Sequence, residues 1–252
     1  MIRKIITTSD GSKTIQIEDW NEQYHSIHGA IQEANHVFLK QGLLFYYDSL
    51  HPERVSESHE EALHAEHLTK CSECDSENKN INILEIGFGT GLNAFLTLIK
   101  AEKLDLNINF VGVEAYPVKA SEIKQLNYVE LISDAYKSQF ETMHELSWES
   151  AHKITSNFKL EKQKKFFKDI TSEDTFNIIY FDAFGARVQP ELWTESIFKI
   201  MYKALKDNGV LVTYSAKGSV RRAMQAVGFN VERLPGPPGK REMLRARKNC
   251  KK

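Results

Sequence analysis

The sequence has little cysteine, little proline and no long apolar run. Its 252 residues, 41% of them hydrophobic, include three cysteines and six prolines. Three cysteines are too few for the disulfide framework of a small secreted domain, so we expect a reducing, cytoplasmic compartment. No stretch of about 18 apolar residues occurs, and the N-terminus lacks the continuous apolar core of a signal peptide. We therefore expect no membrane partner.

Net charge is also small, at −1, which by itself argues against binding to nucleic acid. The charge is unevenly distributed, however. From Lys217 to Lys252 the chain carries eleven Lys and Arg against two acids, a net +9, and the remaining 216 residues sum to −10. This asymmetry indicates a polyanionic partner for one end of the molecule. The alternative is a solvated basic tail with no partner.

Strand and helix patterns alternate from residue 81 onwards. The apolar run "INILEI" predicts a buried strand, and apolar residues at i, i+3, i+4 and i+7 from Leu92 predict the helix after it. "INFVGVE", "KKFFKDI", "FNIIYFDAF" and "GVLVTY" predict further strands, which favours a mainly parallel sheet covered by helices on both faces. "FNVERL" and "REMLRAR", joined by the short "PGPPGK", are predicted to be antiparallel neighbours.

The first 80 residues have a different pattern. "KIITT" and "KTIQI" alternate apolar and polar residues around Asp10-Gly11, which predicts a hairpin. A segment rich in His and aromatic residues follows, then a strand-like "LLFYY" and a helix near Glu60–Thr69. We therefore predict an N-terminal extension over residues 1–80 and an α/β domain over residues 81–252.

The segment "ILEIGFGTGLN" places three glycines at alternate positions between the first strand of this domain and its helix. Glycine there lets the backbone approach a ligand, and open α/β sheets bind ligands at the carboxyl ends of their strands. The spacing G-x-G-x-G is not the G-x-G-x-x-G of a dinucleotide site. Glu85, two residues before the first glycine, would repel a pyrophosphate and attract an ammonium group. The pattern favours S-adenosylmethionine, which carries an ammonium and no phosphate, and it resembles the first motif of the class I methyltransferases.

Two further carboxylates follow predicted strands. Glu114 ends the second strand, where a carboxylate accepts hydrogen bonds from ribose hydroxyls of either a dinucleotide or a methionine-derived cofactor. Asp182 ends the fourth strand, where it is placed to orient and deprotonate an amine nucleophile. The alternative for Asp182 is a cap on the following turn. Phe181 and Phe184 beside it would wall an adenine or a base, or belong to the core.

Several longer motifs resemble one family. "EIGFGTGLN", "FDAF…PELW", "GVLVTYSAKGSVRRAMQAVGF", "GKREML" and, near the N-terminus, "YHSIHGAIQEANHVFL" are similar to the tRNA 5-aminomethyl-2-thiouridine methyltransferases. These enzymes occur as the methyltransferase half of bifunctional MnmC-type proteins and as standalone MnmD-type proteins. The resemblance extends from about Tyr24 to Ala246, and its last third is the most specific part.

The resemblance implies a class I, Rossmann-like methyltransferase fold, with a mainly parallel seven-stranded sheet that ends in an antiparallel pair and with a small N-terminal β-containing extension. It implies methyl transfer from S-adenosylmethionine to the aminomethyl nitrogen of a wobble (2-thio)uridine in tRNA, giving 5-methylaminomethyl-2-thiouridine. Asp182 matches the catalytic aspartate. The residues that match the cofactor pocket are Glu85, Gly87, Phe88, Gly89, Thr90, Gly91, Asn93, Glu114, Asp169 and Asp182.

The basic C-terminal segment acquires a role from this resemblance. We expect tRNA to contact Phe184, Arg221, Arg222, Lys240 and Arg241, with a flipped wobble base entering over Asp182. We expect no flavin oxidase domain in this chain, so another source would supply the aminomethyl group. The "PGPPGK" loop is a departure from the family pattern.

Other interpretations remain open at this point. The spacing His64-x2-His67-x3-Cys71-x2-Cys74 offers two His and two Cys as zinc ligands, but it is unusual, and we expect no bound metal. An NAD(P)-dependent oxidoreductase would use the same loop. A small-molecule methyltransferase or an aminopropyltransferase would also combine a sulfonium donor with an amine acceptor. An RNA-binding module with a vestigial cofactor site is the non-enzymatic alternative, against which the retained carboxylates argue.

Overall fold

A computed structural model describes residues 2–51 and 80–250 of the chain. The predicted helix near Glu60–Thr69 and the candidate zinc ligands His64, His67, Cys71 and Cys74 lie outside these described residues. Within the two described ranges, no helix is long and apolar enough to cross a membrane.

The N-terminal segment forms a small antiparallel sheet, as its alternating pattern predicts. Strand β1 (Arg3–Thr7) pairs with β2 (Lys13–Ile17), and a short β3 (Glu22–Gln23) pairs with β2 on its other side. Gly11 adopts a positive φ of 83° in the turn between β1 and β2, a conformation that glycine adopts without strain. The predicted hairpin is therefore confirmed.

A long helical segment follows. It begins as α1 (Ala30–Ala34), continues as a π-helix over Asn35–Leu44 and ends as α2 (Phe45–Leu50). The predicted strand "LLFYY" is wrong, because these residues belong to this helical segment. Leu43 and Tyr46 are buried and lie three positions apart, a spacing typical of a helix. In so short an apolar run, the sequence pattern alone does not distinguish a helix from a strand.

The central sheet has eight strands in the order β10-β11-β9-β8-β4-β5-β7-β6. Parallel pairs join β4 to both β5 and β8, β5 to β7, and β8 to β9, while β11 is antiparallel to β9 and to β10. This is the predicted class of sheet with its antiparallel pair. The strands are β4 (Asn80–Ile86), β5 (Asn107–Val113), β6 (Ala151–Lys153), β7 (Phe158–Gln163), β8 (Phe176–Phe181), β9 (Leu205–Thr213), β10 (Asn230–Pro235) and β11 (Glu242–Arg247).

Two details of the sheet differ from the prediction. The eighth strand is β6, three residues long, which pairs antiparallel with β7 at the edge. The predicted strand "KKFFKDI" is wrong, because the third parallel strand is β7, just before it, and Phe167–Asp169 forms a 3-10 turn. In β7, "FKLEKQ", the apolar residues Phe158 and Leu160 alternate with the charged Lys159 and Glu161, so the strand lacks the continuous apolar run of a strand buried on both faces.

Helices cover both faces of the sheet. Successive residues of β8 alternate between two cores: Ile178 and Tyr180 pack with the helical segment 30–50, and Ile179 and Phe181 pack against the C-terminal helices. Such two-sided burial explains the near-continuous apolar runs of the central strands. The remaining helices are α3 (Leu92–Leu104), α4 (Ala120–Ile123), α5 (Tyr128–Ile132), α6 (Lys137–Glu145), α7 (Glu195–Ala204) and α8 (Gly218–Ala226), with 3-10 turns at Asp134–Tyr136 and Pro190–Trp193.

The helical segment 30–50 shares one hydrophobic core with the sheet, because Val37, Phe38 and Leu43 belong to the same buried cluster as Ile83 and Ile178. The helical segment is thereby held on one face of the sheet. This places the N-terminal segment beside the carboxyl ends of the central parallel strands. The division into an extension over 1–80 and a domain over 81–252 stays a prediction.

Candidate active site

A cavity of about 750 Å³ opens at the carboxyl ends of the central strands. Its wall combines the N-terminal segment, the segments that follow β4, β5, β7, β8 and β9, and the loop between β10 and β11. The predicted site residues that line it are Gly87, Phe88, Gly89, Thr90, Asn93, Glu114, Asp182, Phe184 and Lys240. Glu85 lies buried beneath this wall, and Gly91 begins helix α3.

The glycine loop is fixed against the neighbouring strands. The amides of Gly87 and Phe88 donate to the carbonyl of Val113 at 3.0 and 3.1 Å. Gly87 has a φ of +89°, and a Cβ on it would lie 2.6 Å from the carbonyl oxygen of Asp182. Only glycine allows this approach, so the loop brings the ends of β4 and β8 into contact.

Three polar side chains form a buried bridge beneath the cavity. Nδ2 of Asn93 donates to Oε1 of Glu85 at 2.8 Å and to Oδ2 of Asp182 at 2.9 Å. Burial raises the pKa of Glu85 well above its usual range, and the negative charges of Asp182 and Glu114 raise it further. Among the described residues, Oε2 of Glu85 and Oδ1 of Asn93 are buried without a hydrogen-bond partner. A buried carboxylate oxygen without a hydrogen-bond partner favours a cationic ligand, which would compensate for its lost hydration.

Glu114 closes the loop from the other side. Its Oε2 accepts the amide of Gly89 at 3.1 Å, and its Oε1 accepts the amide of Tyr116 at 2.9 Å. Burial raises the pKa of Glu114 despite these bonds. Each carboxylate oxygen keeps a second lone pair, so the side chain retains the capacity to accept hydrogen bonds from a ligand.

Asp182 lies beside the glycine loop, where β8 ends. Burial raises its pKa to about 8, and the nearby negative charge of Glu33 adds to this, while the Asn93 hydrogen bond and the Lys240 charge act in the other direction. A carboxyl group that exchanges its proton near neutral pH is suited to general acid–base work.

The N-terminal segment supplies a wall that the residue-by-residue sequence analysis did not identify. The ring of Phe184 makes edge contacts with Tyr24 and Trp20, at centroid distances of 4.9 and 5.7 Å. His25 joins β2 to the glycine loop, with Nδ1 3.0 Å from Oγ1 of Thr14 and Nε2 3.4 Å from Oγ1 of Thr90. Burial lowers the pKa of His25 to about 4, so this imidazole is neutral near pH 7.

Glu33 and Tyr214 are the other residues that sequence reasoning missed. Glu33, on α1, is buried, and the hydroxyl of Tyr214 donates to the carbonyl of Ala183 at 2.8 Å. The dense His and aromatic content of "YHSIHGAIQEANHVFL" was the available signal for the N-terminal wall, but it did not single out a carboxylate. For Tyr214 the signal was its place directly after an apolar strand, the position that Glu114 and Asp182 also occupy.

Asp169 is not brought to the cavity. It lies exposed on the 3-10 turn after β7, whereas its neighbours Phe166, Phe167 and Lys168 line the wall. The expectation for Asp169 assumed that "KKFFKDI" was a strand whose end faced the ligand. Because the strand ends at Gln163, the turn presents other residues to the cavity.

The basic C-terminal segment is less free than its net charge indicates. Arg245 pairs with Glu232 at 2.7 Å and Lys248 with Asp174 at 2.5 Å, and both cationic side chains are nearly buried. These residues stabilise the fold and are not available to a polyanion. Arg221, Arg222 and Arg241 do not line the cavity, and of these Arg222 and Arg241 are exposed.

Comparison with known proteins agrees with this geometry. Residues 124–249 match the model of a family described as "S-adenosyl-L-methionine-dependent methyltransferase". The chain is 25% identical over 240 residues to the tRNA 5-methylaminomethyl-2-thiouridine biosynthesis bifunctional protein MnmC of Paraburkholderia xenovorans, covering 89% of this chain and 32% of that protein. For the protein of the same name in Campylobacter fetus, identity is 28% over 209 residues, with 79% and 34% covered.

The chain thus spans about a third of the length of the curated relatives that it matches. Among solved structures, MnmC2 from Aquifex aeolicus superposes with a TM-score of 0.69 at 23% sequence identity, over 97% of this chain and 70% of that one. This likeness concerns the fold. Since the family match covers half of the sequence and the sheet, glycine loop and carboxylates agree with it, the chain belongs to the S-adenosyl-L-methionine-dependent methyltransferases.

Proposed function

We propose that this protein methylates the aminomethyl nitrogen of a wobble 5-aminomethyl-(2-thio)uridine in tRNA, giving 5-methylaminomethyl-2-thiouridine. The observation that carries the proposal is Asp182, a carboxyl group with a pKa of about 8 that lines the cavity beside the glycine loop. Relatives named for 5-methylaminomethyl-2-thiouridine biosynthesis supply the substrate class.

The residues of the loop fit the cofactor of the family. Glu85, whose Oε2 is buried without a partner in the described chain, suits the ammonium of the methionine moiety, because a cation there would offset the burial of the carboxylate. Glu114 retains lone pairs for the ribose hydroxyls. Gly87 and Gly89 let the loop pack closely against Asp182 and Tyr24, and Thr90 and Asn93 fix the loop. When bound, S-adenosylmethionine supplies a methyl group on a positively charged sulfur.

Asp182 performs the proton transfer that the acceptor requires. A primary amine is mostly protonated near pH 7 and has no free lone pair in that state. The ionised Asp182 takes one proton from the ammonium and so frees the lone pair of the nitrogen. The cofactor, which Glu85, Glu114 and the glycine loop would hold, would supply the methyl group to this nitrogen, and the electron pair of the broken carbon–sulfur bond would stay on sulfur. The product is a secondary ammonium, and the carboxyl proton returns to solvent. Positioning in the cavity supplies the remaining acceleration.

The aromatic corner formed by Trp20, Tyr24 and Phe184 holds the base. An RNA base that reaches an enclosed site must leave its stack, and aromatic rings replace the lost stacking. The exposed Arg222 and Arg241, together with Arg221, lie outside the cavity and serve tRNA phosphates. A cytoplasmic location follows from this substrate.

The experiment that tests the function uses purified protein, methyl-labelled S-adenosylmethionine and tRNA bearing the 5-aminomethyl wobble base. We expect label in the tRNA and, after digestion, in 5-methylaminomethyl-2-thiouridine. The same tRNA with an unmodified wobble uridine is the matched control and should stay unlabelled. Absence of label in the aminomethyl tRNA would refute the proposal, as would equal labelling of both tRNAs.

A further inference from the structure

The acceptor end of the cavity contains an amine of the protein itself. Nζ of Lys240 lies 2.5 Å from Oε1 of Glu33 and 3.9 Å from the centroid of the Tyr214 ring. Tyr214 in turn bonds to the carbonyl of Ala183, the residue after Asp182. Glu33, Lys240, Tyr214 and Asp182 all line the same cavity. A primary ammonium therefore already sits on a carboxylate and an aromatic face beside the candidate base.

The two partners of this ion pair differ in how firmly they are held. Glu33 projects from α1 and is 8% exposed, and its Oε2 accepts the amide of Ser26 at 2.8 Å. Lys240 is 31% exposed and lies in the loop between β10 and β11. The carboxylate is thus fixed by the fold, whereas the ammonium is carried on a long, flexible, partly solvated side chain. Lys240 is the partner that can leave.

When Asp182 is ionised, the charges at this end of the cavity favour a second cation. Asp182 and Glu33 are acidic, and Lys240 is the cation that interacts with both. Burial raises the pKa of Tyr214, and the negative charges of Asp182, Glu33 and Glu22 raise it further, so it stays a neutral phenol. A neutral aromatic face in the field of carboxylates is a favourable surface for an alkylammonium ion, and the Lys240 ammonium lies over it.

We propose that Glu33 is the second carboxylate of the acceptor site, and that the Lys240 ammonium occupies this site until the substrate ammonium displaces it. This inference rests on the proposed function, since it assumes a primary amine as acceptor. The exchange breaks no covalent bond: one ammonium replaces another on Oε1 of Glu33. The substrate nitrogen then lies between Glu33, which binds it, and Asp182, which receives its proton.

The proposal predicts opposite effects for the two halves of the ion pair. Glu33→Gln removes a binding group, so we expect KM for aminomethyl tRNA to rise about tenfold or more, with the Kd for S-adenosylmethionine unchanged. Lys240→Met removes a competitor and leaves Glu33 unpaired until substrate arrives, so we expect KM to fall several-fold. A purely structural ion pair, or a Lys240 that serves tRNA phosphates, would raise KM in both variants and overturn the proposal.

A ligand-binding measurement makes the test independent of methyl transfer. Ethylammonium should raise the Tm of Lys240→Met by filling the vacated position, and should raise it less in wild type, where Lys240 competes. Tetramethylammonium, which has no N–H to donate, controls for charge alone. No rise in Lys240→Met, or an equal rise in the double variant E33Q/K240M, would contradict the proposal. Since this readout needs no tRNA, it can succeed or fail separately from the proposed function.

Two controls protect the interpretation. Lys203 and Glu173 form an exposed ion pair at 3.0 Å outside the cavity, so Glu173→Gln and Lys203→Met are matched changes that should alter neither KM nor the ethylammonium response by more than about twofold. Should Lys240→Met fold poorly, Lys240→Gln keeps the length and polarity of the side chain while it removes the charge. The same fall in KM is expected of it.

Discussion

The two ends of the cavity are built differently. At the donor end, the glycine loop, Glu85 and Asn93 come from one strand–loop–helix unit, and Glu114 follows the next strand. At the acceptor end, Glu33, Asp182, Tyr214 and Lys240 come from four separate elements spread over more than 200 positions. The donor end is therefore a local unit of the chain, whereas the acceptor end exists only when the N-terminal segment and the loop before β11 both pack against the sheet.

The ends also differ in how a carboxylate meets a cation of the protein. At both ends carboxylates accept hydrogen bonds from amides: Glu85 and Asp182 from the Asn93 side chain, and Glu114 and Glu33 from the backbone. At the acceptor end, Glu33 also forms an ion pair with Lys240. At the donor end, the cofactor always brings its own cation, so the protein needs no cation there. At the acceptor end, Lys240 supplies a cation for Glu33 in the absence of the tRNA.

The largest effect should come from Asp182→Asn at the acceptor end. Asparagine keeps an oxygen for the Asn93 hydrogen bond but cannot accept the proton of the substrate, so we expect kcat to fall by ~10²–10⁴. The Kd for S-adenosylmethionine, measured by calorimetry, should stay within about threefold. The matched control is Asp134→Asn, at an exposed aspartate outside the cavity. Full activity of Asp182→Asn would mean that a group other than Asp182 accepts the proton of the substrate.

Glu85→Gln should produce the largest change at the donor end. It removes the carboxylate that we propose for the cofactor ammonium, so the Kd for S-adenosylmethionine should rise about tenfold or more. The stability of the free protein should change in the opposite direction. Because the folded state raises the pKa of Glu85, ionisation destabilises the fold as pH rises above the unfolded pKa, and glutamine removes this penalty.

The free Glu85→Gln protein should therefore melt at a higher temperature than wild type at pH 8, while it binds cofactor less tightly. Glu130→Gln, at an exposed glutamate on α5, controls for loss of a carboxylate in general. A variant that is both less stable and weaker in binding would indicate that Glu85 has a structural role alone.

A smaller effect is expected in the pH dependence of kcat/KM and of stability, both of which reflect the ionisation of Asp182 at the acceptor end. Asp182 must be ionised to accept a proton, and its pKa is about 8, so kcat/KM should rise up to about tenfold per pH unit below 8 and level off above it. Stability should run the other way: the raised folded pKa means that wild type loses stability between about pH 4 and 8. Asp182→Asn lacks this loss, so the difference in Tm between the two proteins should grow over that interval and then stay constant.

The smallest effect should come from Asp169→Asn. The side chain is exposed and does not line the cavity, so the Kd for S-adenosylmethionine should change by less than about twofold. A larger loss would mean that the 3-10 turn after β7 rearranges when cofactor binds, and that the donor end is less preformed than its hydrogen bonds indicate.

Much of the fold could be predicted because buried parallel strands leave a strong local signal. The strands ending before Glu114 and Asp182 are apolar runs of the right length, and each places its following residue at the same edge. β6 and β7 could not be predicted in the same way, since one is three residues long and the other alternates apolar with charged residues. "LLFYY" failed because a short apolar run fits a helix as well as a strand, and contact with the sheet decided for helix.

The sequence by itself determined the donor end and the position of Asp182. The glycine spacing, Glu85, Glu114 and Asp182 lie at or beside the ends of predicted strands, where the covalent order of residues fixes their positions. Tertiary structure alone decided the rest of the acceptor end. Whether Lys240 meets solvent or Glu33, and whether Arg245 and Lys248 are surface charges or buried partners, depends on contacts between residues far apart in the chain. Burial and neighbouring charges arise only when these elements pack, and they turn Asp182 from an ordinary carboxylate into a group with a pKa near 8.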